Sequence, residues 1–512
     1  MQVSDTTPAR VGQLSPDGRW RWDGVAWRPV EPRPAPPWTT ARVRRSATWA
    51  TVLASGGIGL LADQAMRTGR FGLGASLTIA VGAIAIAWGA LRRVESRVLV
   101  AAAVLIASFL TLRASPWLQW PDLLAALLLL GAATSFAVRG SLLDFGAAEL
   151  AARSFQATVQ VAAGVAFLAR PFAESRGQIG RTTPVLRGVL IALPIAALLG
   201  GLLASADPVF ASFFTLNLDV GMLVLDVVFV TAGALAFAGL SRVAASEPLD
   251  RIDGPKWRLG AAETLVVLAV LDAVFAAFAM AQLLAASGAA ADSLRSAGVT
   301  YADYARSGFF QLLWVAGITL ALLFLFSRIT NLAGANRKGA FMVLALSAIA
   351  LTLMIDVVAF RRLSLYEEAY GFTMLRLYSH VFAGWLAVVF LLLAADFIGA
   401  WRGRRWFIGA GAASALVVLL GLNLANPEAM VVAFNTTHAQ AVHKIDGEYL
   451  AGLSSDATPA LLGSRDELEP ALRSQVTQAA CAGNRAYSAP WAAFNVADAQ
   501  AAAARRAGCS TS

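Results

Sequence analysis

Cysteine, histidine and lysine are nearly missing from this 512-residue chain, which has two cysteines, three histidines and three lysines. With no two cysteines close together, Cys-x-x-Cys redox pairs and cysteine-rich metal clusters are excluded. His438 and His443 stand five apart ahead of Asp446, a poor spacing for ligands on one helical face, so no metal is expected. No Walker sequence, H-E-x-x-H, G-x-S-x-G elbow or dinucleotide fingerprint occurs, and no cofactor is expected. Ser454 in the LSSD segment has no candidate base nearby in the sequence, which argues against a serine hydrolase. Charge is scarce as well. Only 14% of residues are charged while 58% are hydrophobic, and the mean hydropathy of +0.63 excludes an ordinary soluble domain.

Long apolar runs are what the chain has in abundance. Eleven of them fall at about 47–64, 71–90, 95–112, 121–138, 186–205, 218–240, 260–286, 308–327, 340–360, 376–398 and 406–425. Each is long enough to cross a bilayer as a helix, and in lipid only helices or closed barrels satisfy their own backbone. The expected fold is an all-α membrane protein with a polytopic domain over 47–425. Pro194 inside the fifth run predicts a kink.

Lys and Arg set the expected orientation. The N-terminal tail and the even-numbered loops hold 27 of the 41, and the odd-numbered loops hold 8. The positive-inside rule then places the N-terminus in the cytoplasm and, with an odd span count, the C-terminus outside. The net charge of +9 is mostly this arginine excess; it implies contact with membrane lipids and no nucleic-acid partner. The first run follows a polar tail, which predicts an uncleaved signal anchor and a multi-pass protein of the cell membrane. Residues 146–170 carry Glu149, Arg153, Gln156 and Gln160 at helical spacing. That polar stripe predicts an amphipathic helix lying on the cytoplasmic surface.

The tail, residues 1–46, holds the segment SPDGRWRWDGVAWRPV (15–30). Asp23-Gly24 is a favoured hairpin turn, and Trp20, Trp22 and Trp27 around it predict a small aromatic ribbon. The ribbon either docks a cytoplasmic protein partner or rests its tryptophans at the membrane interface. The segment resembles the SPDG-x-W-x-WDG element at the cytoplasmic ends of many actinobacterial membrane proteins. Residues 31–38 (EPRPAPPW) are expected to be an extended linker.

Ionisable residues inside spans are costly and usually face the protein interior or water. Asp226, Asp272, Asp356 and His380 sit deep enough to qualify, whereas Glu263 and Asp396 lie near cytoplasmic ends. The loop expected at 361–373 adds Arg361, Arg362, Tyr366, Glu367, Glu368 and Tyr370, and Arg376 follows it. Three arginines on an outer loop break the positive-inside pattern, which predicts that they pair with Glu367, Glu368, Asp356 or an acidic group of the C-terminal tail. The competing reading is an interfacial helix with snorkelling arginines and belt tyrosines.

Residues 426–512 contain no span and are expected to form a small helical extracytoplasmic domain. Cys481 and Cys509 both lie there, where a disulfide is permitted. TYADYARSGFFQLLWVA (300–316), RRLSLYEEAYGFTMLRLYSHVFAGWLAVVF (361–390), NLANPEAMVVAFN (423–435), IDGEYLAGLSSDATPALL (445–462) and SADPVF (205–210) resemble the bacterial membrane family catalogued as domain of unknown function 4173, close to 4153. The resemblance covers roughly 185–500 and implies an integral membrane protein with an extracytoplasmic C-terminal piece. It brings no reaction. Where similar proteins carry Arg, this chain has Phe434. The functional expectation is a non-catalytic envelope protein with a sensing or assembly role. Its rival is a transporter or lipid-handling protein with an outward-facing cavity between spans six, seven, nine and ten.

Overall fold

In a computed structural model the described residues are 13, 15, 20–22, 24–29, 43–174, 192, 195–196, 198–203, 205–207, 210, 220–249, 258–286, 308–332, 334–399, 405–483 and 486–509. Pro194 with half of the expected fifth span, the whole 31–38 linker and residues 300–307 lie outside them. Met1–Arg42 and Val43–Ser512 form two units. In the first, β1 (Trp20–Trp22) pairs antiparallel with β2 (Trp27–Pro29), with Trp22 opposite Trp27 and their rings 5.5 Å apart. Four residues separate Trp22 from Trp27, so the connection is longer than the two-residue Asp23-Gly24 turn expected, and Gly24 lies in it at a positive φ of 104°.

The second unit is helical. It runs α1 (Trp49–Arg67), α2 (Leu73–Gly89), α3 (Val94–Leu112), α4 (Pro116–Ser135), α5 (Ala147–Ala162), α6 (Gly164–Leu168) and α7 (Arg170–Glu174). There follow α8 (Val220–Ala245), α9 (Ala261–Ala286), α10 (Phe309–Ile329), α11 (Ala335–Tyr370), α12 (Met374–Ile398) and α13 (Phe407–Ala425). Eight described helices are long and apolar enough to cross a membrane: α3, α4 and α8 to α13. At 17 residues α2 is shorter, and α1 carries Asp63 and Arg67. This is a multi-pass, all-α membrane architecture.

Among the described residues the two largest apolar clusters divide the bundle. One joins α1 to α4 and α8 through residues such as Ile58, Ala103, Leu130, Phe136 and Phe237. The other joins α9 to α12 through Leu268, Ala316, Leu323, Ala348 and Phe390, and Ile408 of α13 touches both. Lipid tails are as apolar as these side chains, so close backbone approach between small residues has to hold the helices together. At the α1–α8 crossing a Cβ on Gly59 would stand 2.5 Å from the Val230 carbonyl oxygen, and one on Gly233 2.5 Å from Ala62 Cβ. Only glycine permits that contact.

Three features differ from the sequence reading. The fourth run starts at Pro116 instead of 121, because proline suits the first turn of a helix. The expected 361–373 loop is mostly helix: α11 continues to Tyr370, leaving only 371–373 before α12. Its 36 residues span about 54 Å at 1.5 Å each, well beyond a hydrocarbon core of about 30 Å. Third, the polar stripe of α5 turns inward. Arg153 Nη1 donates to the Ser135 and Arg139 carbonyls, and its guanidinium lies 5.0 Å from the Phe136 ring centroid. Gln156 bonds both ways with the backbone of Glu247 and Leu249 at 2.6 Å, and Gln160 accepts from Arg242. The backbone ends of neighbouring helices need those partners more than water does, which leaves Leu150, Phe155 and Val165 exposed.

A C-terminal lobe follows: α14 (Pro427–Val442), α15 (Gly447–Ala451), a 3₁₀ turn at Ser455–Ala457, α16 (Thr458–Ser464), α17 (Pro470–Cys481) and α18 (Val496–Gly508). Val432, Ala439, Leu450, Leu461, Leu472 and Val476 make its core. Cys481 and Cys509 are joined with Cα atoms 6.0 Å apart.

Candidate functional site

The α11–α12 turn gathers most of the polar residues singled out in the sequence, but with partners of its own choosing. His380 Nδ1 lies 3.0 Å from Glu367 Oε1, at ion-pair distance but off hydrogen-bond alignment, and both side chains are largely buried. On the other edge of the ring, Nε2 stands 3.3 Å from Ser364 Oγ. Ser364 and Glu367 share a face because they are one turn apart on α11. The Phe360 ring packs edge-on against the imidazole at 4.2 Å. Arg376 stacks over Tyr366 at 4.2 Å from the ring centroid and donates to the Gly371 carbonyl, and Tyr366 in turn meets Tyr370 at 4.9 Å.

The expected ion pairs are therefore replaced. Among the described residues none joins Arg361, Arg362 or Arg376 to Glu367, Glu368 or Asp356. Arg362 reaches Gln282 of α9 at 3.3 Å, while Arg361 and Glu368 are exposed. A cation on an aromatic face and a helix-end carbonyl discharge the same cost as a carboxylate would. Asp356 is buried within α11, and Asp272 of α9 turns a shielded carboxylate towards Ser347. Asp226 of α8 pairs with Arg67 of α1, which also bonds Asp63 at 2.9 Å. The structure thus brings Glu367, His380, Tyr366, Tyr370 and Arg376 together and places Asp226 elsewhere in the bundle. Glu367→Gln is expected to destabilise the folded protein by about 1–2 kcal/mol because it alters a largely buried polar contact with the imidazole. Glu368→Gln should stay within about 0.5 kcal/mol. Thermal unfolding in detergent would separate the two, and equal effects would contradict the pairing.

The turn is held from the lobe. Asn435 accepts from the Phe372 N–H and donates to the Phe372 carbonyl, both at 2.8 Å, and Tyr449 Oη accepts from the Met374 N–H at 2.7 Å. A second latch lies beside it. Asp456 Oδ2 accepts from the Ala114 and Ser115 N–H groups at 2.7 Å each, and Arg113 Nη1 stands 3.4 Å from Oδ1. Asn495 donates to the Leu110 and Arg113 carbonyls. Lobe and bundle thus meet through paired polar groups.

Two cavities open at this junction, one on each side of the Leu453–Ser455 turn. The first, of about 550 Å³, is lined by Arg70, Phe71, Trp120, Ser455, Asp498 and Arg505 among others. The second, of about 700 Å³, is walled by Trp117, Met374, Glu428, Tyr449 and Ser454. Glu428 is 2% exposed, and its Oε2 accepts from both the Ser454 N–H (2.8 Å) and Oγ (2.7 Å). Burial pushes its carboxyl pKa up, against those hydrogen bonds. Ser454 therefore has a carboxylate at hand, 26 residues back in the sequence. Its Oγ also caps the Ser455–Ala457 turn, so a structural role already accounts for it. Glu428, Tyr449, Asp456, Arg113 and Asn435 were not singled out as site residues, because their partners are remote in sequence.

A family model described as domain of unknown function (DUF4153) matches residues 99–463. The matching family is 4153, the relative of the 4173 family that the sequence blocks resemble, and the match starts well before 185. It takes in the α11–α12 turn, Glu428 and Asp456, but neither Arg70 nor Arg505 nor the disulfide. No curated protein matches the chain. No solved structure matches it.

Proposed function

The chain belongs to the family described as domain of unknown function (DUF4153), and we propose that it is a non-catalytic membrane protein of the cell envelope. Its lobe and the adjoining bundle end form a head that senses or recruits by binding an amphiphile. The observation that carries this is the pair of cavities at the lobe–bundle junction: the second is mostly apolar with a few polar groups, the composition of small-molecule sites, and the first sets Phe71 and Trp120 beside a more polar wall. The transport reading lacks such support. Of its four helices α8 packs with α1, α2, α4, α5 and α6, whereas α9, α11 and α12 share the other core, and Asp226 is already paired with Arg67.

In this proposal eleven spans place the N-terminus in the cytoplasm, where the tryptophan ribbon meets a protein partner, and the head outside in the cell membrane. The arginine distribution supports that orientation, as does the Cys481–Cys509 bridge, which suits an oxidising compartment. A reporter active only outside the membrane should work after Ser512 and fail after Met1 or near residue 250. Activity at 250 would overturn the topology.

Binding is tested by native mass spectrometry of the full chain released from lipid nanodiscs. Lipid-mass adducts should be retained, and filling the first cavity with Ala482→Trp should remove at least one. A chain that releases bare, or a variant with unchanged adducts at unchanged fold, would end the binding reading for that cavity.

A further inference from the structure

Resting on that reading, we infer that the first cavity takes an anionic phospholipid, with the phosphate between Arg70 and Arg505 and an acyl chain running along α4. Arg70 follows the end of α1; it is exposed, and its guanidinium has no hydrogen bond or ion pair among the described residues. Arg505 of α18 forms part of the facing wall. Its Nε donates to the Ala480 carbonyl at 2.8 Å and its Nη2 to Thr458 Oγ1 at 2.9 Å, which leaves Nη1 uncommitted among the described residues. Among the described lining residues the one carboxylate is Asp498, which accepts from the Ser455 hydroxyl and offsets part of the Arg505 charge. Two guanidiniums against one carboxylate select an anion, and arginine suits phosphate because its planar fork matches the oxygens.

The apolar half of the ligand is read from the same cavity. Phe71 and Trp120 meet edge to face at 4.9 Å, and Trp120 is 62% exposed. From Trp120 an exposed row continues down α4 through Leu124, Leu127 and Leu128. The spacing of four, seven and eight keeps these residues on one helical face, and α4 is one of the helices apolar and long enough to cross the membrane. A free phosphate would use the arginines alone and leave this row unexplained. A zwitterionic phospholipid would use the row but offer no net charge to the pair. Arg70, Phe71, Ser455, Asp498 and Arg505 belong to segments at both ends of the chain and its lobe, so the site forms only when the lobe is docked.

The test compares nanodiscs of phosphatidylglycerol with nanodiscs of phosphatidylcholine, with delipidated protein given inorganic phosphate as a third arm. Native mass spectrometry should show phosphatidylglycerol retained over phosphatidylcholine. Arg70→Gln should reduce that preference about fivefold, the worth of one arginine at an anionic surface, without unfolding the chain, since Arg70 holds nothing in place. Equal retention of both lipids, or a preference untouched by Arg70→Gln, would overturn the anionic headgroup while leaving the cavity a binding site. Phosphate bound as tightly as the lipid would assign the arginines to a free anion and overturn the lipid. Loss of all adducts in both lipids would instead sink the binding head itself.

Discussion

Asp456→Ala is expected to release the lobe from the bundle at a cost of about 3–5 kcal/mol, the range for breaking a buried charged pair. The carboxylate side chain is 1% exposed and is the sole described partner of two backbone N–H groups, Ala114 and Ser115, at the point where α4 begins. The first N–H groups of a helix have no intrahelical acceptor, and each one left buried and unpaired costs about 1–3 kcal/mol. Arg113 would lose its anion at the same time, although it keeps the Asn423 carbonyl. Asp456→Asn should recover part of the loss, since one oxygen still accepts. The readout is protease sensitivity of the 447–460 segment in detergent, together with thermal unfolding. With the Cys481–Cys509 bridge intact in all variants, cleavage reports undocking and not loss of the lobe's covalent closure. Wild-type resistance in Asp456→Ala would refute the latch. The first cavity draws its walls from both sides of this junction, so lipid retention should fall in step with undocking.

Local apolar runs made the spans legible, because a stretch that must cross lipid is marked by its own composition. Partners were not legible, because each lies on another segment. Asp226 stood out as an acid within a span, yet its partner Arg67 looked like an ordinary loop residue at the end of the first run. Glu367 and His380 were both visible, thirteen residues apart, but only the abrupt 371–373 turn between α11 and α12 sets them face to face. The residues at 361–370 left an ion-paired loop and an interfacial helix both open; α11 continues through Ser364 to Tyr370, where Leu, Glu and Ala are good helix formers. The α5 stripe misled in the opposite sense. Arg153, Gln156 and Gln160 gave a correct period, but periodicity identifies a polar face without saying what satisfies it. Glu428 and Ser454 show the same limit: neither carries a local signature, and the lobe's fold alone makes them neighbours.

Gly59→Leu should destabilise the bundle by about 3 kcal/mol or more, at the upper end of overpacking effects. Gly57→Leu, two residues away, should be neutral or slightly stabilising. The two glycines have the same sequence surroundings and differ in what they face. A Cβ on Gly57 would meet nothing within 4 Å, whereas one on Gly59 would press into the Val230 carbonyl of α8 and the Val230 and Ala234 side chains. A backbone oxygen cannot rotate away as a side chain can, so α1 and α8 must separate. Separation would also pull Arg67 from Asp226 at the far end of the same helix pair, exposing a carboxylate to an apolar environment without its cation. The penalty therefore has two parts, lost packing and an unpaired charge. Asp226→Asn in the Gly59→Leu background should remove the second and restore part of the stability, while in the native background it should destabilise. Unfolding by denaturing detergent from mixed micelles gives all four values. If Gly59→Leu and Gly57→Leu behave alike, or if Asp226→Asn is equally harmful in both backgrounds, the close α1–α8 contact is not what positions the pair.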